Sequence, residues 1–273
     1  MPLRSLGDTM RPDDLQHGGV LGVRLAVTDY EGALACVQHA IQLGRQIRLN
    51  FCNVHVTMVA QRMTALMAAL NDRNALTVPD GMPLVWALRM WGVDIHDRVY
   101  GPDFFALCMA RSRELGLKHF FYGSTQQTLT RLQENLRARY GELDIAGVYA
   151  PPFRPLTPCE TGQIAALINS SGANILWVAL GAPRQEVWID QMAHRLNVPV
   201  LAAIGAAFAF HAGMVKQAPD WMQRRGLEWL YRLIQEPRRL WFRYLYYNPL
   251  FVIKCIWERL TIRRPDTLFY DAV

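Results

Sequence analysis

The chain has 273 residues, of which 51% are hydrophobic and 19% are charged, and this balance excludes a disordered or low-complexity protein. The net charge of +6 is unevenly distributed, because residues 216–265 contain eleven Lys or Arg and four Asp or Glu, whereas the rest of the chain sums to −1. The length fits one sizeable domain with an appendage, and the basic segment needs a local explanation.

Apolar runs rich in β-branched residues alternate with helical patterns over the first 215 residues. The runs predict strands at 20–27, 46–52, 75–78, 118–122, 143–148, 174–180 and 198–204, and helices between them, among others at 55–70, 103–115, 125–140 and 184–196. This alternation predicts an α/β fold, a mostly parallel, Rossmann-like sheet with helices on both faces. We expect an N-terminal extension at 1–19, an α/β domain at 20–215 and a helical appendage at 216–273.

The predicted appendage is rich in aromatic and basic residues. Leu227, Leu230 and Ile234 follow helical spacing, and Pro237 cannot continue their helix but suits the first turn of another. We therefore predict two short amphipathic helices within 226–247. Their arginines are Arg232, Arg238, Arg239 and Arg243.

Cysteine usage and hydropathy bear on the compartment. The five cysteines are widely spaced and form no C-x-x-C pair, which predicts buried thiols in a reducing cytoplasm rather than a zinc site or disulfides. Residues 1–19 lack the apolar core of a signal peptide. The longest apolar run, 198–210, is too short to span ~30 Å of hydrocarbon as a helix. We expect a soluble or peripheral protein.

Several common catalytic motifs are absent from the sequence. It contains no G-x-G-x-x-G after the first strand, no Walker A sequence, no H-E-x-x-H, no G-x-S-x-G and no Asp-x-Asp. The sequence therefore lacks the motifs that best predict a dinucleotide site or a P-loop. A metal-diphosphate anchor of the Asp-x-Asp type is also missing.

Two loops that follow predicted strands or precede predicted helices offer polar groups near the sheet edge where ligands bind. Asp80, in the sequence Pro79-Asp80-Gly81, is able to present a carboxylate into a cleft, although a plain turn explains the same residues. In RVYGPD (98–103), we expect Asp103 to be the N-cap of the next helix, and Gly101 permits close approach of a ligand.

Two further loops follow later strands. In GAPRQE (181–186), Pro183 starts a predicted helix whose first turn, with Arg184 and Gln185, has N–H groups for an anion; an ordinary exposed helix start is the alternative. In GAAF (205–208), small residues permit close backbone approach. His211 follows in an apolar context and is interpreted as a core residue.

Together these loops resemble the WecG/TagA/CpsF glycosyltransferases, glycosyltransferase family 26. The matching sequences occur in the family's order and cover roughly residues 20–247: PDGM (79–82), RVYGPD (98–103), GAPRQE (181–186), GAAF (205–208) and APDWMQRRGLEWLYRLIQEPRR (218–239). The last one is long and specific. It links the basic appendage to the four loops of the α/β domain.

The resemblance implies a bacterial, inverting hexosyltransferase that needs no metal or cofactor. Such an enzyme moves a sugar from a UDP-sugar to an undecaprenyl-diphosphate-linked saccharide, at the cytoplasmic face of the inner membrane, during exopolysaccharide or other surface-polysaccharide synthesis. Asp80 matches the proposed general base. The predicted substrate-binding residues, by their match to the family motifs, are Asn53, Gly81, Arg98, Gly101, Gln185, Arg232, Arg239 and Arg243.

Three positions depart from the family pattern. Phe51 replaces a hydroxyl residue, Phe208-Ala209-Phe210 lacks the acid of F-D-F, and Ala150-Pro151-Pro152-Phe153 replaces D/H-G-Y-F. These departures lead us to favour a neutral hexose donor, UDP-glucose, over UDP-N-acetylmannosamine or its uronate.

The basic, aromatic appendage admits more than one role. As an interfacial surface it would dock the enzyme peripherally on the membrane, close the cleft and bring arginines to the diphosphate. A nucleic-acid-binding module also combines basic and aromatic residues, but the helical stripes favour packing or membrane contact, so no nucleic acid is expected. An inactive assembly factor of a polysaccharide complex is a third reading. Homo-oligomerisation stays open.

Overall fold

The computed structural model describes residues 12–261 and 269–270, with the backbone alone for residues 13, 220, 224, 239, 269 and 270. Nine strands occur in the described part of the chain: β1 (His17–Val20), β2 (Val23–Ala26), β3 (Ile47–Cys52), β4 (Ala75–Pro79), β5 (Lys118–Gly123), β6 (Asp144–Tyr149), β7 (Ile175–Ala179), β8 (Val200–Ala203) and β9 (Phe269–Tyr270).

Helices connect most of these strands and form the segment after β8. They are α1 (Tyr30–Leu43), α2 (Val54–Ala60), α3 (Thr64–Asn71), α4 (Met82–Met90), α5 (Gly101–Ala110), α6 (Ser112–Leu115), α7 (Gln126–Tyr140), α8 (Pro158–Ser170), α9 (Arg184–Met192), α10 (Ala207–His211), α11 (Asp220–Arg224), α12 (Glu228–Gln235) and α13 (Pro237–Thr261).

Six strands form a parallel sheet in the order β4-β3-β8-β7-β5-β6. Successive side chains of a strand point to opposite faces. In β7, Ile175 and Trp177 accordingly pack with α5 and α7, while Leu176 and Val178 pack with α8 and α9. Helices therefore cover both faces, and the predicted α/β, Rossmann-like fold class is confirmed.

The N-terminal region differs from its prediction. The single strand expected at 20–27 is a hairpin of β1 and β2, because Leu21 and Gly22 adopt positive φ angles of 50° and 81° that turn the chain back. β9 pairs antiparallel with the other side of β1 and completes a small three-stranded sheet. Residues 1–11 of the predicted N-terminal extension lie outside the described part of the chain.

Several predicted helices are divided or shifted. The helix expected at 55–70 is α2 and α3, because Met63 takes an extended conformation between them. The helix expected at 103–115 begins two residues earlier and is interrupted near Arg111, giving α5 and α6. The Asp103 N-cap prediction is wrong, because Tyr100 occupies the N-cap position and Asp103 lies in the first turn.

The C-terminal helices α12 and α13 start as predicted, but α13 is not short. It continues through Pro249 to Thr261, since Phe251 and Cys255 pack into the core formed by α2, α4 and β2. Its other side leaves large apolar residues exposed: Trp241, Phe242, Leu245, Tyr246, Val252, Ile253, Ile256, Trp257 and Leu260. Within residues 12–261, no helix combines the length and the hydropathy of a membrane-spanning segment. Cys159 is exposed, contrary to the prediction of buried thiols, and the other four cysteines are buried.

Candidate active site

Asp80 follows β4 directly, at the edge of the sheet where ligands bind. Its backbone N–H donates to the carbonyl of Cys52 at the end of β3 (2.7 Å), which fixes the loop against the neighbouring strand. Its Oδ1 accepts from the backbone N–H of Gly101 (2.8 Å), and its Oδ2 lies 3.5 Å from Nδ2 of Asn53. Two loops thus hold the carboxylate at the cleft, which favours a presented carboxylate over a plain turn.

The environment of Asp80 makes it a better base than an ordinary carboxylate. Burial raises its pKa to about 6, against the opposing effects of the Gly101 N–H and the positive charge of Arg98. The negative charge of Glu228 raises this pKa further. A carboxylate with a pKa near the working pH accepts a proton more effectively and is still ionised at pH 7.

Arg98 joins Asp80 to the C-terminal helices. Its Nη1 donates to the backbone carbonyl of Asp80 (3.3 Å) and to Oε2 of Glu228 (3.1 Å), while Nη2 donates to Oε1 of Gln223 (3.3 Å). The Tyr100 hydroxyl donates to the other oxygen of Glu228 (2.7 Å), and the Arg98 guanidinium lies 4.2 Å from the centre of the Tyr100 ring. Sequence reasoning missed Glu228, although it lies in the long C-terminal motif.

The predicted glycines contribute through the backbone. Gly81 is the N-cap residue of α4, and a Cβ on it would lie 3.7 Å from Cβ of Asn53. Gly101 uses its N–H for Asp80, and a Cβ there would lie 3.2 Å from Cγ of Phe51. Close approach at Gly101 is therefore made by protein atoms, while the residue still lines the cleft.

Gln185 and Glu186 lie in the first turn of α9, next to the cleft. The Gly181 N–H donates to Oε1 of Gln185 (3.2 Å), whose Nε2 donates to Oε1 of Glu186 (3.0 Å). Burial raises the pKa of Glu186 to about 7. Its Oε2 has no hydrogen-bond partner among the described residues. Glu186 was also missed from the sequence, and its one signal was its place in GAPRQE.

The C-terminal arginines reach the same cleft. Arg232 and Arg243 line it, and the Arg232 guanidinium lies 5.6 Å from the centre of the Phe210 ring. Arg239 lies in α13 with its backbone alone described. The Nε2 of His211, which was interpreted as a core residue, is 2.9 Å from the carbonyl of Pro102.

One cleft of about 330 Å³ brings most of the predicted site together. Its charged and amide lining residues are Asn53, Asp80, Gln185, Glu186, Glu228, Arg232, Glu236 and Arg243. A larger, more apolar cavity of about 880 Å³ adjoins it through Ser124 and Leu180 and is bordered by 151–156, part of the departing middle loop. Gly81 and Arg98 stand behind the lining, beside Asp80.

Metal-binding geometry is not evident in the described part of the chain. No group of three His, Cys, Asp or Glu side chains there is arranged to hold an ion. The cleft offers a carboxylate with a raised pKa, an amide and guanidinium groups. This combination suits removal of a proton from a hydroxyl beside an anionic ligand.

Comparison with known proteins assigns the chain to a family. The chain matches the model of the Glycosyl transferase WecG/TagA/CpsF family over residues 19–265. An N-acetylglucosaminyldiphosphoundecaprenol N-acetyl-beta-D-mannosaminyltransferase of Bacillus spizizenii is 30% identical over 168 residues, which cover 62% of this chain and 63% of that protein. A protein of the same name from Bacillus subtilis is 30% identical over 186 residues, or 65% of this chain and 70% of the relative. The chain thus spans slightly less than two thirds of the first relative.

Proposed function

This chain belongs to the Glycosyl transferase WecG/TagA/CpsF family, as the resemblance predicted, and from that premise we propose that it transfers a hexose from a UDP-sugar to an undecaprenyl-diphosphate-linked saccharide. The two relatives are named as transferases of this kind of lipid-linked acceptor. We take residues 20–215 as the catalytic domain and 216–273 as the appendage that closes over it.

The observation that carries this proposal is the placement of Asp80. Its carboxylate is held at the cleft by Gly101 and Asn53, and its pKa of about 6 leaves it ionised yet basic at neutral pH. In the proposed step, Asp80 accepts the proton of the acceptor hydroxyl while that oxygen attacks the anomeric carbon. The bond to UDP breaks on the opposite face, which inverts the configuration.

The leaving diphosphate needs positive charge as it departs. Arg232 and Arg243 line the cleft and supply guanidinium groups that suit phosphate oxygens. Arg239, in the same helix as Arg243, is proposed for the same role from its motif position. Gln185 lies opposite, at the start of α9, where its fixed amide orients a substrate.

The donor sugar is the least constrained part of the proposal. Both relatives are named as N-acetylmannosaminyl transferases, so N-acetylmannosamine is our first candidate. The lean toward glucose rests on three departing motif positions and gains no support from these names. Phe51, Ala209 and Phe210 border the cleft, and 151–153 border the adjoining cavity, so these positions are suited to influence donor choice.

A lipid-linked acceptor requires that the enzyme work at a membrane surface. The exposed apolar side of α13 and the positive charge of residues 216–265 fit docking on an anionic leaflet. We therefore propose peripheral association with the cytoplasmic face of the inner membrane, in the service of surface-polysaccharide synthesis.

UDP release from a panel of UDP-sugars tests this function. The panel contains UDP-N-acetylmannosamine, its uronate and UDP-glucose, with an undecaprenyl-diphosphate-saccharide as the acceptor. We expect acceptor-dependent release from one donor, reduced by a factor of ~10² or more in Asp80→Asn. Asp94→Asn, at an exposed position outside the cleft, is the matched control and retains the wild-type rate.

Each other outcome removes a defined part of the proposal. Equal release by wild type and Asp80→Asn would take the base role from Asp80. Absence of release with every donor and acceptor saccharide would overturn the transferase and leave an inactive assembly factor as the better explanation.

A further inference from the structure

Glu228 makes the closest described polar link between the C-terminal helices and the loop that holds Asp80. One carboxylate oxygen accepts from Arg98 (3.1 Å) and the other from the Tyr100 hydroxyl (2.7 Å). The side chains of Arg98 and Glu228 are only 10% and 12% exposed, so this ion pair is shielded from water. Arg98 also contacts the backbone carbonyl of Asp80, which places Glu228 one residue away from the proposed base.

Charged neighbours of Asp80 are few among the described residues. Burial raises the pKa of Cys52 and of Tyr30 to about 12 and that of Tyr100 well above its ordinary value, so these three groups are neutral at pH 7. The charged groups that act most strongly on Asp80 are Arg98 and Glu228. Glu228 itself faces Arg98, Tyr100 and, along α12, Arg232.

Few contacts attach α12 to the rest of the protein, so the bonds of Glu228 matter for its position. None of the eight residues of α12 is fully buried, so little apolar packing holds the helix in place. Its described side-chain contacts include Trp229 against Tyr244, Arg232 against Phe210, the Gln235 amide that donates to the Lys216 carbonyl, and the bonds of Glu228. Among these four, Glu228 is the residue that reaches the loops carrying Asp80 and Gly101.

We propose that Glu228 is a positioning residue that completes the active site when α12 is docked. By pairing with the Arg98 guanidinium, Glu228 limits how strongly that positive charge favours the ionised form of Asp80, and so Asp80 stays a better proton acceptor. The same contact aligns the loop that carries Asp80. This inference rests on the proposed function of Asp80.

The test is the pH profile of kcat/KM for Glu228→Gln, measured with the donor and acceptor that the wild-type enzyme uses. Loss of the negative charge favours the ionised form of Asp80, and the released Arg98 acts in the same direction. We expect the acid limb to move to lower pH by about one unit and kcat to fall about tenfold. Glu258→Gln is the control, since it removes the same charge from α13 at a site that contacts Leu21 and not the cleft.

The sign of the shift decides the interpretation. An acid limb that stays at the wild-type pH, or moves upward, would overturn the proposal even if the rate falls. A shift of equal size in Glu258→Gln would also overturn it, because the effect would then come from net charge alone.

A second measurement does not depend on turnover. Hydrogen exchange of Glu228→Ala should show amides of 228–235 exchanging tenfold or more faster, with β3, β4 and β7 unchanged. Unchanged protection in α12 would overturn the docking role. If the wild-type enzyme transfers no sugar, the proposed function fails, and this exchange experiment still decides whether Glu228 holds the helix.

Discussion

Two tryptophans show how differently the sheet domain and the C-terminal helices use apolar residues. Trp177 in β7 is completely buried, and its indole N–H donates to Nδ1 of His119 (3.0 Å). Trp257 in α13 is 69% exposed and lies among other exposed apolar residues of that helix. Aromatic side chains of the sheet strands, such as Phe121 and Trp177, pack in the core, whereas α13 leaves several aromatic side chains, such as Trp241 and Trp257, on the surface.

Buried aromatic residues stabilise the fold, whereas exposed ones are available for contact with another molecule. Scattered apolar residues on a surface are normal, but a continuous set on one helix marks a contact with a partner or a membrane. The same helix carries Arg243 to the cleft. One segment therefore serves the proposed chemistry on its inner side and the proposed membrane contact on its outer side.

The largest effect that would test this contrast is on folding. Trp177→Ala leaves a cavity and removes the hydrogen-bond partner of Nδ1 of His119, so we expect it to lower the free energy of unfolding by about 3–5 kcal/mol. Trp257→Ala should change it by no more than about 0.5 kcal/mol. Urea unfolding followed by circular dichroism measures both. An equal loss of unfolding free energy in both variants would mean that the sheet domain and the C-terminal helices are packed alike.

The next effect is the loss of folding stability that comes from burying an ionised Asp80. The folded-state pKa of Asp80 is raised to about 6, so the stability linked to its proton is present below the unfolded pKa near 4 and is lost as the pH rises through 6. Since the carboxyl is partly open to the cleft, we expect Asp80→Asn to stabilise the fold at pH 7 by about 1–2 kcal/mol rather than the ~3 kcal/mol of a closed site. Melting temperatures at pH 4 and pH 7 check this.

Asp94→Asn, at an exposed position, is the control for this measurement and should leave both melting temperatures unchanged. A fold that Asp80→Asn destabilises at pH 7 would indicate that the hydrogen bond to Gly101 matters more than desolvation.

The smallest effect lies on the exposed side of α13. We expect Trp257→Ala to weaken binding to vesicles of phosphatidylglycerol by about tenfold, because a Trp that enters the interface buries much of its ring. Phe153→Ala removes an aromatic residue that is 86% exposed on the α/β domain, and it should not change vesicle binding. Flotation of the two variants with vesicles distinguishes them. Equal weakening would move the docking surface away from the C-terminal helices.

The sequence predicted the sheet well because parallel strands buried on both faces are continuous apolar runs. It predicted helix boundaries less well, since residues such as Met63 and Arg111 break a helix without Gly or Pro. The length of α13 was also missed, because Pro249 normally signals a break and only tertiary packing of Phe251 and Cys255 shows that the helix continues.

The candidate site divides in the same way. Strand-end position and motif order led to Asp80 and Gln185, which the structure brings to one cleft, because ligands bind at the carboxyl ends of parallel strands. Glu228 and Glu186 were not singled out, since nothing in a local pattern says which acid of a helix will be buried against an arginine or an amide. Their positions depend on contacts between residues about 130 positions apart or on burial alone.

The pairing of β3 with β8 has a consequence for the order of folding. Ile47 in β3 lies opposite Val200 in β8, so the centre of the sheet closes only after about 150 further residues have been made. Non-local pairings of this kind are slow to form, and chain growth proceeds from the N-terminus. During synthesis, the edge of β3 that pairs with β8 would stay unpaired until β8 has left the ribosome. The half-sheet that carries Asp80 therefore cannot be completed on a nascent chain until most of the protein has been synthesised.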